Sequence, residues 1–189
     1  MLRRAIFGGT FDPVHNAHLT VAREAADRFA LDEVLFVAAA SPPHKTTSTP
    51  FEHRFRMVEL ACAGEPRFLP SRIEANRERS YSILTIDELA DAQPGAKLFF
   101  LIGGDAFAEI RTWRRWRDVI AAVEFIVASR PGHAYDIPDG ARVQRLDTLA
   151  LPSSSSEIRR RLARGADPVD VPEAVMRYAR EHSLYRGTS

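Results

Sequence analysis

Residues 8–19 read GGTFDPVHNAHL, and two histidines in this stretch, His15 and His18, stand three apart behind Pro13. The apolar run RRAIFGG before them predicts a strand ending at Gly8 and Gly9, with a helix beginning shortly after. A glycine turn between strand and helix leaves backbone N–H groups free to receive a phosphate. Glycine also allows a ligand to approach the backbone closely. Pro13 fixes the turn, and Asn16 is the expected N-cap of the helix. Both imidazoles would then point back into the anion pocket as donors that become cationic as charge develops. The spacing is not G-x-G-x-x-G, and the Lys-Ser/Thr pair of a P-loop is missing. A zinc pair would need further ligands, and His44, His53 and His133 with a single cysteine make no good cluster. No zinc site is therefore expected. A buried turn histidine beside a helix cap is the bland alternative.

A second cluster lies far along the chain at SSSSEIRRRL, residues 153–162. Ser154 followed by Glu157 has the pattern of a capping box. A helix start there offers N–H groups, and Ser155 and Ser156 offer hydroxyls. Arg159 offers a planar fork suited to phosphate. The plain alternative is a serine-rich linker with a basic helix face.

Strand-like and helix-like segments alternate between these clusters. EVLFVAAA and AKLFFLIGGD are continuous apolar runs of the kind buried on both faces of a sheet. RFLPSRIEA, VEFIVASR and VQRLDT are the other extended segments. Helical spacing marks NAHLTVAREAADRFA, a helix starting near Phe51, YSILTIDELADA, and Trp-containing helices after Asp105. SSSSEIRRRLARG and PEAVMRYAREH end the chain as helices. The expected fold is α/β: a Rossmann-like, doubly wound parallel sheet with flanking helices and a C-terminal helical segment. No linker or internal repeat divides it, so a single domain over 1–189 is expected. Ligands of such sheets bind beyond the carboxyl ends of the strands. The segments there are GGTFDPVH, AASPPHK, GGD and SRPGH, all rich in glycine, proline, histidine or charge.

Composition narrows the function classes. The net charge is +1 and the pI about 8.0, so no bulk attraction to nucleic acid or anionic membrane is expected and any anion site must be local. The longest apolar runs fall far short of the roughly 18 residues of a membrane span. The N-terminus lacks the apolar segment and cleavage site of a secretory leader. Cys62 is the only cysteine and sits in an apolar helical pattern, as expected of a packing residue in a reducing, cytoplasmic setting.

GTFDPVHNAH resembles the (H/T)xGH signature of the nucleotidyltransferase superfamily, with His15 and His18 on its histidines and Ala17 in place of its glycine. SSSSEIRRRL resembles the superfamily's ISSTxIRxxL signature, with Ser155, Ser156 and Arg159 on its polar positions and Ser153 in place of isoleucine. Between them, PPHK, HRFRMVELA, SYSILT, IGGDAFAEIRTW and SRPG are similar, in order, to segments of the bacterial nicotinate mononucleotide adenylyltransferases. The resemblance implies adenylyl transfer from ATP to nicotinate mononucleotide, with Mg²⁺ carried mainly by the ATP. It implies His15, His18 and Arg159 as catalytic residues. The implied ATP site adds Gly8, Gly9, Thr10, Phe11, Gly103, Asp105, Ser155 and Ser156. The implied acceptor site holds Lys45, Tyr81, Ser82, Thr85 and Trp113, with Trp113 stacking on the pyridine ring. Leu84 stands where the family has aspartate. Asp105 also reads as a helix cap, Lys45 as a solvated lysine, and Asp12 as either a metal ligand or a turn cap. Trp116 reads as packing, and a homo-oligomer is compatible with the sequence.

Overall fold

Successive residues of a strand point to opposite faces of its sheet, and the apolar runs of this chain carry bulk in both registers. Ile6, Leu35, Phe100 and Phe125 fall in one buried core, while their neighbours Phe7, Phe36, Leu101 and Ile126 fall in another. A sheet loaded in this way needs helices on both sides. The structure is a computed structural model, and it describes residues 1–43, 47, 49–149, 154–166 and 168–186. Its strands are β1 (Arg3–Gly9), β2 (Glu33–Ala38), β3 (Phe68–Ser71), β4 (Lys97–Gly103), β5 (Glu124–Ser129) and β6 (Arg142–Asp147). They form one sheet in the order β3-β2-β1-β4-β5-β6, with every pairing parallel. The chain winds outward from β1 in one direction and from β4 in the other, which puts the switch point between those two strands.

The core of Phe7, Phe36, Leu101 and Ile126, the first core, is covered by α1 (Asn16–Arg28), α2 (Phe51–Cys62), α6 (Ser155–Ala163) and α7 (Glu173–Glu181). On α1 the buried stripe is Val21, Ala22, Ala25 and Ala26, small residues that let the helix lie close to the sheet. Cys62 is buried in this core, and burial pushes its thiol pKa up to about 12, so it packs as an inert apolar group. The second core is covered by α3 (Ser82–Ala92), α4 (Gly104–Ala108), the 3-10 turn Ile110–Thr112 and α5 (Trp116–Ala122).

One local expectation is corrected. His15, with φ −144° and ψ 171°, occupies the N-cap of α1, and Asn16 is the first helical residue. The Asn16 N–H instead donates to the Asp170 carbonyl at 2.8 Å, so a tertiary contact replaces local capping. The tryptophans do not share a helix. Trp113 ends the 3-10 turn and Trp116 begins α5, separated by Arg115 in the left-handed region at φ 52°.

Candidate active site

The carboxyl ends of β1 and β4 open into two clefts that share Gly8, Gly9, Thr10 and Ile102. The larger has a volume of about 660 Å³ and runs between the β1–α1 turn and the start of α6. The smaller, about 230 Å³, lies between β2 and the Trp113 segment. Gly9 suits the close packing here: a Cβ on it would crowd the Phe11 ring at 3.1 Å. Phe11 itself turns at φ 47°, and its ring is buried edge-on to Phe7 at 5.7 Å and His18 at 5.1 Å. The turn therefore has a hydrophobic floor.

His15 and His18 are brought together in the larger cleft. Their rings lie 3.8 Å apart at 31°, and the His15 N–H donates to His18 Nδ1 at 3.2 Å. His15 is 3% exposed, and its Nδ1 has no hydrogen-bond partner. Burial lowers its pKa from 6.5 to about 4 against the opposing pull of the Asp170 charge. The expectation of two readily cationic imidazoles is thus amended for His15, which is neutral at physiological pH.

The second cluster reaches the first across the chain. Ser154 caps α6 by accepting from the Glu157 N–H at 3.2 Å, while the Glu157 carboxylate turns to Arg160 at 2.6 Å rather than closing the box. Buried Ile158 anchors the helix to the core. The Ser155 hydroxyl donates to the Pro13 carbonyl at 2.9 Å, and Arg159 Nη1 donates to the Asp12 carbonyl at 2.7 Å. Arg159 Nη2 reaches Ser156 Oγ at 3.3 Å. Arg159 keeps further N–H donors for an anion, whereas the single Ser155 hydroxyl proton braces the first turn.

Two supporting residues were missed from sequence. Arg54, on α2, is 1% exposed and donates to the carbonyls of Thr10 and Ala39, both at 2.8 Å, and of Thr49 at 3.0 Å. Burial lowers its pKa, while the charge of Asp12 opposes that shift. Its signal was an arginine on the apolar stripe of α2, in step with Met57 and Val58. Tyr185 donates to Asp12 Oδ1 at 2.6 Å, and nothing local in the sequence marks that contact.

In the smaller cleft Trp113 stands edge-on to Phe100 at 5.6 Å, with Tyr81 and Ser82 at the start of α3 beside it. Arg114 covers the Tyr81 ring at 4.8 Å. Thr85 is buried, and its hydroxyl donates to Glu74 at 2.6 Å and accepts from Arg77 at 2.7 Å. Buried Glu74 is a further polar lining residue that the sequence did not single out. Lys45 and Ser153 lie outside the described residues. Gly103 lines the larger cleft, whereas the Asp105 side chain is fully exposed and stands 3.5 Å from His133. Among the described residues no group of three or more His, Cys, Asp or Glu side chains could hold a metal ion. The Asp12 carboxylate, accepting from Tyr185, is already engaged.

A doubly wound parallel sheet with an anion-competent turn at its switch point defines a Rossmann-like nucleotide-handling protein. The cytidylyltransferase-like family model matches residues 6–161. A protein of Solibacter usitatus named "Probable nicotinate-nucleotide adenylyltransferase" is 59% identical over 187 residues, covering 97% of this chain and 100% of that one. A protein of the same name from Leifsonia xyli subsp. xyli is 41% identical, covering 99% of this chain and 96% of its own. The solved structure of Plasmodium falciparum nicotinic acid mononucleotide adenylyltransferase complexed with NaAD shares the fold. Its TM-score is 0.84 at 20% identity, over 98% of each chain. The chain belongs to the cytidylyltransferase-like family and, within it, to the nicotinate-nucleotide adenylyltransferases.

Proposed function

We propose that the chain transfers the adenylyl group of ATP to nicotinate mononucleotide, giving nicotinate adenine dinucleotide and pyrophosphate in NAD biosynthesis. The observation that carries this reading is the meeting of two unlike clefts at Gly8, Gly9 and Thr10. One offers histidines, serine hydroxyls and an arginine to a triphosphate, and the other offers an indole to a flat ring. A phosphate oxygen of the mononucleotide attacks the α-phosphorus of ATP, the bond to the bridging oxygen breaks, and pyrophosphate carries away the electron pair. The acceptor phosphate is already a nucleophile, so no covalent enzyme intermediate is needed. Catalysis is positioning and charge stabilisation.

His18 serves the charge developing at the α-phosphate, and His15, with its unpartnered Nδ1, stands beside it. Arg159, Ser155 and Ser156 hold the departing phosphates, and Gly8, Gly9, Thr10 and Phe11 form the floor. Gly103 belongs to the ATP site, and Asp105 stands near the ATP ribose. Trp113 stacks on the pyridine ring, Tyr81, Ser82 and Thr85 frame its carboxylate, and Lys45 takes the acceptor phosphate. Mg²⁺ enters as part of the substrate, bound by the triphosphate, in keeping with its preference for phosphate and water oxygens. The reaction is carried by one domain over 1–189, acting on small molecules rather than nucleic acid or membrane. Among the described residues no helix is long and apolar enough to cross a membrane. The lone cysteine, buried and inert, suits a cytoplasmic setting. Self-association as a homo-oligomer is compatible with this reading.

The test is pyrophosphate release from ATP, with and without Mg²⁺, in the presence of nicotinate mononucleotide, nicotinamide mononucleotide or phosphopantetheine. The nicotinate acceptor is expected to be fastest, and a faster rival or no release would overturn the reading. In the same assay His18→Ala is expected to lower kcat by roughly 10²–10³-fold, the usual effect of losing one preorganised donor. A matching rise in KM for ATP, or no change in either constant, would remove His18 from that role.

A further inference from the structure

The β1–α1 turn is braced along its backbone by Arg54 on Thr10, Arg159 on Asp12, Ser155 on Pro13 and Asp170 on Asn16. Asp12 adds a side-chain anchor. Its carboxylate is 3% exposed, and Oδ1 accepts from the hydroxyl of Tyr185, 173 residues away, at 2.6 Å. Arg54 attracts the same carboxylate, while its hydrogen bonds to Thr10, Ala39 and Thr49 go to backbone carbonyls. The phenol supplies the directional bond.

The chain bends sharply to deliver that phenol. Ser183 and Tyr185 take φ values of 53° and 63°, in the left-handed region that side chains with a Cβ disfavour. Such conformations persist when their surroundings over-determine them. Here the Leu184 N–H donates to the Ala179 carbonyl at 2.8 Å, and the Tyr185 ring packs against the first core. Burial and the Asp12 charge push the phenol pKa up, so it stays a proton donor throughout the working range. One hydroxyl thus ties the C-terminal turn to the β1–α1 turn.

We infer that Tyr185 is a positioning residue for adenylyl transfer: through Asp12 it fixes the turn that presents His15 and His18 to the triphosphate. The inference rests on the proposed reaction for its kinetic consequence, and on geometry alone for its structural one. Misplacing a reacting group by about 1 Å can cost about 10²-fold in rate, and Asp12 is three residues from His15.

Tyr185→Phe keeps the ring and deletes the bond, so packing and positioning separate. In the full chain, kcat is expected to fall about tenfold. KM for nicotinate mononucleotide should stay within about twofold, because Trp113 and Tyr81 line the other cleft. Asp12→Ala should lower kcat at least as much, and adding Tyr185→Phe to it should cost nothing further, since the pair acts as a unit. Amide hydrogen exchange over residues 10–18 of the ligand-free protein should quicken in Tyr185→Phe while residues 34–38 of β2 keep their protection. Wild-type kcat in Tyr185→Phe, or multiplying effects in the double variant, would overturn the inference. So would unchanged exchange over 10–18. If Tyr185→Ala lowers the melting temperature while Tyr185→Phe turns over normally, Tyr185 only packs. A wild-type protein that makes no pyrophosphate refutes the proposed reaction, whereas the exchange comparison still decides whether Tyr185 holds the turn.

Discussion

His15 and Arg54 are both buried beside the first turn, and the two side chains meet burial differently. A guanidinium stays charged in proteins and must find acceptors, which Arg54 does on backbone carbonyls. An imidazole can shed its proton, and His15 does so, with a pKa lowered from 6.5 to about 4. The unfolded chain therefore binds the His15 proton more readily than the folded one. His15 contributes stability that is full above about pH 6.5 and is lost as the pH falls toward about 4. The linkage is on the order of 3 kcal/mol, from the size of that shift. Urea unfolding at pH 7.5 and 4.5 should show less of this acid loss in His15→Asn than in the wild type. Identical pH dependence in the two proteins would refute the assignment.

At the scale of elements, α2 contributes a strut as well as a core face. Met57 and Val58 bury its apolar stripe, while Arg54 on the same side joins the ends of β1 and β2 through Thr10 and Ala39. Arg54→Met would preserve the stem but strand several buried carbonyls and leave the buried Asp12 charge without its cation. Removing one partner of a buried charged group costs about 3–5 kcal/mol. A fall of that size in unfolding free energy, with the urea m-value unchanged, is the expected result. A loss below about 1 kcal/mol would show that Arg54 is not a strut.

Over the whole molecule, two clefts on the two sides of the sheet meet at the switch point, and the proposed reaction gives each its own substrate. The larger cleft lies toward α1 and α6, and the smaller toward α3 and the Trp113 segment. Mutations should therefore sort by substrate. Trp113→Ala removes a stacking face worth about 1–3 kcal/mol, so KM for nicotinate mononucleotide should rise roughly 5- to 150-fold. KM for ATP should move by less than about threefold, because Trp113 lines only the smaller cleft. Steady-state kinetics with each substrate varied in turn distinguishes this from a general loss of the fold.

Strand, helix and turn identity were legible in the sequence because they depend on local period and on glycine and proline punctuation. The run LFFLI, the helix beginning at Phe51 and the Gly8–Gly9 turn could all be read that way. The two polar clusters were legible too, since each is contiguous, and the resemblance supplied their pairing. What remained hidden depended on partners far apart in the chain. Asn16 reads locally as a cap, but the Asp170 carbonyl takes its N–H and leaves the cap to His15. The neutrality of His15 is a property of burial, which no spacing expresses. Tyr185 and Asp12 meet across almost the full length of the chain. The sequence determined where the two polar clusters lie and which elements hold them. Only the tertiary structure decided their charge states, the bracing of the first turn and the division into two clefts, because desolvation and long-range hydrogen bonds exist only once the sheet has brought its strand ends together.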